Sequence, residues 1–234
     1  MLAGCGAGLL PAVHSEAERL SVARTLAAKG QVRVAIDLLK LYIGENGGSA
    51  EVDEAIYLLG ECYLRTKEWS SADAEFERLL RDYPESDSSG SAAFRRGEAL
   101  FGQARPQDFD QDNAVKALDQ WRSYVQGYPG HWLNAEAGRR IEMVRRRLGG
   151  KLLDTGRLYL KLKLPQPARV YFERVEREYG DTDLFPEARL GEALSDALAG
   201  RRPEAIATLK EIEERYPGQP IARRAAREHS HLER

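Results

Sequence analysis

Few side chains in this sequence are of a type and spacing that could do chemistry, and most sit in settings that point elsewhere. Gly4, Gly6 and Gly8 form a Gly-Cys-Gly-Ala-Gly run, but a dinucleotide loop needs a strand before it and a third glycine where Leu9 stands. No phosphate-loop lysine motif, nucleophile elbow or zinc-protease helix motif occurs. His229 and His231 stand two residues apart near the C-terminal end. That spacing does not share a helical face, so they read as a frayed tail and not as a metal pair. Cys62, between Gly60 and Tyr63, reads as a small buried residue. The expectation is no enzyme, no metal and no cofactor.

Cys5 is the exception. Leu2-Ala3-Gly4-Cys5 matches the bacterial lipobox, in which the cysteine is acylated, small residues follow it, and the first helical pattern starts ten residues later. Residues 1–14 thus read as a lipid attachment site with a flexible tether. The basic and apolar parts of a secretion signal are expected upstream of Met1. Arg139, Arg140, Arg145, Arg146 and Arg147 form the densest cationic group, expected to be the solvated side of a helix.

Any binding surface must be positioned by helices, since Ala, Leu, Glu and Arg dominate a chain that is 42% hydrophobic and 31% charged. A net charge of −2 supplies no field for nucleic acid or anionic lipid, which leaves proteins as the expected partners. The uncharged stretch before Ser15 is too short to span a bilayer.

Internal repetition defines the fold class. Ile56, Leu59, Gly60, Tyr63, Ala72, Phe76, Leu79 and Pro84 follow the tetratricopeptide pattern, and Leu152, Thr155, Gly156, Tyr159, Ala168, Phe172, Val175 and Gly180 repeat it in register. The second-helix half recurs from Ala35 to Gly47, Ala117 to Pro129 and Ala205 to Pro217, with the same alanine-to-breaker distance of 12 residues throughout. The remaining first helices are expected near residues 15–28, 91–102 and 187–198, with Ser15 and Glu18 as a capping box and Pro203 opening a helix. The chain is therefore expected to be an all-α solenoid of about five helical hairpins. It should carry an extra loop at residues 103–112, an additional helix striped by Leu133, Ala137, Ile141, Val144 and Leu148 between the third and fourth hairpins, and a C-terminal helix. If Ile56 and Leu59 pack inward, Tyr57, Glu61 and Leu64 face the concave groove, as do Phe94, Glu98 and Phe101 in the third hairpin and Arg24 in the first. Aromatic and arginine side chains there suit an extended, aromatic-ended peptide, and the equal alternative is that the rings pack against neighbouring hairpins.

The lipobox, five hairpins, the third-hairpin loop and the long helix before the fourth together resemble the BamD family of outer-membrane β-barrel assembly lipoproteins, across the whole chain. The closest stretch runs from Asp110-Gln111-Asp112 through Ala114, Ala117, Trp121 and Tyr124 to Tyr128-Pro129, then along residues 135–159 and on to Tyr179. Gly180 departs from the proline usual in that family after tyrosine. The resemblance implies a scaffold anchored at Cys5 to the periplasmic face of the cell outer membrane. Residues 15–130 would receive the C-terminal targeting segment of unfolded outer-membrane proteins. Residues 131–234 would bind the periplasmic domains of the central barrel protein, with other assembly lipoproteins as further partners. Two other readings stay open. One is a periplasmic repeat protein coordinating envelope complexes such as Tol-Pal, which normally carries a coiled coil before its repeats, and no heptads precede Ser15. The other is an enzyme subunit that uses the array for docking.

Overall fold

A computed structural model describes residues 15–107 and 109–234, and every regular element among them is an α-helix. In chain order these are α1 (Glu16–Ala28), α2 (Val32–Glu45), α3 (Val52–Arg65), α4 (Trp69–Asp82), α5 (Ser89–Gly102), α6 (Asp112–Gly127), α7 (Asn134–Lys161), α8 (Pro165–Tyr179), α9 (Phe185–Leu198), α10 (Arg202–Arg215) and α11 (Pro220–Glu233). Local signals set the ends. The Ser15 side chain accepts from the Glu18 amide at 3.2 Å, and prolines stand at the first or second positions of α8, α9, α10 and α11.

The repeat residues do what their sizes suggest. Ala35, Ala72, Ala117, Ala168 and Ala205 are fully buried. At Gly60 a Cβ would lie 2.6 Å from the Phe76 ring, and at Gly156 it would lie 2.7 Å from Phe172. The missing methyl is what lets a phenyl ring of the second helix rest on the backbone of the first.

The helices form two compact units. The first comprises the described residues up to Arg105 together with Asp110–Ile141, and the second comprises Pro106–Phe109 and Glu142–Arg234. Hairpins α1–α2, α3–α4 and α5–α6 build the first around Tyr42, Phe76, Trp121 and Tyr124. The later part of α7 with α8, then α9–α10 and α11, builds the second around Phe172, Leu209 and Ile212.

Three expectations need correction. No separate helix precedes the fourth hairpin: its stripe and that hairpin's first helix are one 28-residue helix, α7. Leu133, Ala137, Val144 and Leu148 are buried and Ile141 half-buried, but nothing after Leu148 stops the helix. Gly149 and Gly150 lower its propensity by roughly 1 kcal/mol each. Gly149 is needed small, because a Cβ there would lie 2.6 Å from Leu184. Accordingly the units part within α7, between Ile141 and Glu142, and not at the expected 130/131 boundary. Finally, His229 and His231 lie inside α11, where His229 stands 3.0 Å from Glu213 and 3.1 Å from Glu233.

Candidate functional site

In the first unit α3 and α5 are in repeat register, so Glu61 follows Gly60 as Glu98 follows Gly97, with Leu64 and Phe101 one turn further on. Together with Trp69 at the start of α4, these residues line a cleft of about 420 Å³. Leu64, Trp69 and Phe101 supply its apolar lining, and Glu61, Arg65, Arg95, Glu98 and Arg140 its charged one. Gly102 has no side chain to displace the Trp69 indole, whose Cε3 would lie 2.6 Å from a Cβ there. The Phe101 ring is anchored from behind by Trp121, at 6.1 Å between centroids.

The charged groups hold one another in place. Arg95 lies 2.7 Å from Glu61 and 2.6 Å from Glu98, and Arg140 lies 3.1 Å from Glu98 and 2.8 Å from Glu136. Burial pushes the Glu61 carboxyl up from its usual range, with Arg95 pulling the other way. Burial also works against the Arg95 charge, but Glu98 and Glu61 outweigh it and raise that guanidinium further. Arg65 is engaged differently, donating to the Ala27 carbonyl oxygen, a neutral partner. Three guanidinium groups and two carboxylates line the cleft beside its apolar floor, and Glu136 outside the lining takes up part of the Arg140 charge. Such a surface recognises an apolar or aromatic group next to an anionic one.

Of the expected groove residues, Glu61, Leu64, Glu98 and Phe101 come together in this cleft. Tyr57 is half-buried, its ring 5.9 Å from Phe76, and lines a neighbouring space of about 460 Å³ with Glu51, Asp53, Glu54 and Asp87. Arg24 is held by Glu54 at 2.5 Å and does not line the cleft. Phe94 does not face the groove: it is 1% exposed, packed edge-on against Tyr124 at 5.7 Å and beside Trp121. The reason is size, since α6 places Tyr124 where α4 has Leu79, and the larger ring closes over the Phe94 position. Arg65, Trp69 and Arg95 have no counterpart among the residues singled out in the sequence, and Arg140 is read there only as part of a solvated arginine face. A bulky aromatic opening a helix near a glycine-ended neighbour is the one signal that pointed to Trp69.

The arginines of α7 are ion-paired, and Arg139 and Arg146 stay exposed at 70% and 55% as the solvated-face expectation has it, while Arg145 is largely covered. Arg145 is held by Asp181 and its guanidinium sits 5.9 Å from the Tyr179 ring, Arg146 is held by Asp183, and Arg139 and Arg140 share Glu136. In the second unit an apolar group is left uncovered: Leu158, Leu162 and Leu164, at the end of α7 and the turn after it, are 53%, 57% and 45% exposed. Cys62 is buried and its thiol is pushed up to about 11, chiefly by burial, which makes it a poor nucleophile at neutral pH. Cys5 and the glycines around it lie outside the described residues. Among the described residues no helix is long and apolar enough to cross a membrane.

Comparison with known proteins decides the family. Residues 14–191 match the family model YfiO, described as outer membrane lipoprotein. The chain belongs to this family. It is also 28% identical over 167 residues to a protein of Caulobacter vibrioides named outer membrane protein assembly factor BamD. The match takes in 70% of the chain and 55% of that relative, so the chain spans about half the length of the curated protein it resembles. Among solved structures, the TPR2AB domain of yeast Sti1 in its pHSP90 complex aligns with a TM-score of 0.50 at 11% identity, covering 88% of this chain and 80% of that one. This shows a tetratricopeptide fold. A thermophilic tetratricopeptide protein of Thermus thermophilus aligns with a TM-score of 0.42 at 20% identity, covering 91% and 97% of the two chains.

Proposed function

We propose that this member of the YfiO family is a non-catalytic scaffold of the outer-membrane β-barrel assembly machinery, held at the periplasmic face of the outer membrane through acylated Cys5. Its first unit receives the C-terminal segment of unfolded barrel proteins, and its last hairpins hold the periplasmic domains of the central barrel protein. The relative named for outer membrane protein assembly supports the process. The observation that carries the reading is the cleft between α3 and α5, with its apolar floor of Leu64, Trp69 and Phe101 beside the guanidinium groups of Arg65, Arg95 and Arg140. An aromatic-ended peptide matches both features. The uncovered leucines Leu158, Leu162 and Leu164 support a stable partner contact in the second unit.

Titration of a barrel-derived C-terminal peptide against Phe101→Ala and Leu64→Ala tests the cleft. Each variant is expected to weaken binding by about 1–2 kcal/mol at unchanged helix content; unchanged affinity in both would move the peptide site elsewhere. Intact-mass measurement of membrane-derived protein tests the anchor, where several acyl chains on Cys5 are expected because one chain holds a protein only marginally. An unmodified cysteine removes that part of the reading.

A further inference from the structure

We propose that Arg65 is the carboxylate-recognising residue of the cleft between α3 and α5, and that it takes the free C-terminal carboxylate of a chain ending in an aromatic residue. The inference rests on the peptide-binding reading of that cleft and assigns within it the group that reads the end of the peptide.

The three guanidinium groups of the lining differ in what already surrounds them. Arg95 lies between two carboxylates, Glu61 at 2.7 Å and Glu98 at 2.6 Å. Arg140 also lies between two, Glu98 at 3.1 Å and Glu136 at 2.8 Å. An anion arriving at either one has to displace a resident carboxylate, which exchanges one ion pair for another and strands a charge. Among the described residues, Arg65 has no carboxylate within ion-pair distance. Glu68, three positions on, is taken by Arg33 at 2.6 Å. The Arg65 Nη1 donates to the Ala27 carbonyl oxygen near the end of α1, a neutral group, so this bond positions the guanidinium and leaves its charge without a counter-ion. Nε and Nη2 remain for a ligand, and that edge of the guanidinium matches the two oxygens of a carboxylate.

The neighbours of Arg65 say what should accompany the anion. Arg65 closes α3 and Trp69 opens α4, with Leu64 and Phe101 in the same lining, so a cation without a counter-ion borders an apolar floor. The last residue of a chain carries its side chain and its carboxylate on one Cα. A terminal aromatic therefore reaches both walls while a single residue is ordered, whereas an internal acidic residue beside an aromatic needs two residues held.

The test uses the full chain and three versions of one barrel-derived peptide: a free acid ending in phenylalanine, its C-terminal amide, and the amide with glutamate before the phenylalanine. Calorimetric titration of the wild-type chain is expected to favour the free acid over both amides by about fivefold or more. In Arg65→Gln, whose side-chain amide can still donate to the Ala27 carbonyl, affinity for the acid should fall to that for the amide. Affinity for the amide itself should stay within about twofold of wild type. Arg140→Gln should keep the preference for the acid. A wild-type preference below about twofold overturns the proposal, as does one that survives in Arg65→Gln or disappears in Arg140→Gln. Equal binding of the free acid and the glutamate-bearing amide overturns the assignment to the chain end. A wild-type chain that binds none of the three peptides overturns the peptide-binding reading and the proposal with it. Circular dichroism of each variant separates a lost contact from a lost fold, and the comparison of acid with amide in the wild-type chain needs no variant.

Discussion

Phe94 and Phe101 stand on the same helix, α5, two turns apart, and differ in what surrounds them. Phe94 is 1% exposed among Trp121 and Tyr124, whereas Phe101 lines the cleft with one face supported by Trp121. Truncation should separate them. Phe94→Ala leaves a cavity in a close-packed core and is expected to cost about 3–5 kcal/mol. Phe101→Ala should cost far less stability and act on peptide affinity. Thermal melting followed by peptide titration on each variant checks this: a Phe94→Ala chain that melts like wild type yet binds peptide weakly would return Phe94 to the groove.

At the scale of elements, the turns of the first, second, fourth and fifth hairpins share one construction. Gly30, Lys67, Lys163 and Gly200 all have positive φ, at 82°, 61°, 61° and 81°. Each donates its amide to the carbonyl three residues back, and the next residue donates five back, as in Gly200 to Ala197 at 3.1 Å and Arg201 to Asp196 at 2.9 Å. This double bond caps the preceding helix, and the left-handed residue is strained when it carries a Cβ. Gly200→Ala is therefore expected to destabilise by about 1–2 kcal/mol, and Lys163→Gly to be neutral or stabilising by up to about 1 kcal/mol. Chemical denaturation of both variants is the check, and stabilisation by Gly200→Ala would contradict it. The third hairpin replaces this turn with the longer segment between α5 and α6, where Leu100 to Ala117 spans 17 residues against 9 from Tyr63 to Ala72.

For the whole molecule, the two compact units suggest separable tasks. Each has its own buried aromatic and aliphatic core, and stacked repeats draw stability from neighbours in sequence. A fragment of residues 134–234 keeps all of α7 and loses only the short 106–109 segment, whose ties to it include Gln107 on Asp154 at 3.4 Å. That fragment is expected to fold cooperatively and to capture the periplasmic domains of the central barrel protein. Circular dichroism melting and pull-down decide it. A helical fragment that captures nothing, while residues 15–141 do, would reverse the assignment.

Repetition was legible because each hairpin is stabilised by residues close together in the chain. Small residues at Gly60, Ala72, Gly156 and Ala168, large rings at Phe76 and Phe172, and breakers a constant 12 residues past the alanines determine helix pairs without reference to the rest of the molecule. The cleft was not legible, because its parts belong to different hairpins. Arg140 meets Glu98 across 42 residues, Trp69 enters from the helix after α3, and the fate of Phe94 depends on a tyrosine of α6. The sequence by itself determined an all-α array with helix ends near their true places. Only tertiary structure decided which of its aromatic rings are core and which are surface, that α7 runs unbroken, and which charges neutralise one another, since a side chain's exposure and partner are set by the neighbouring hairpin packed against it and not by its own repeat.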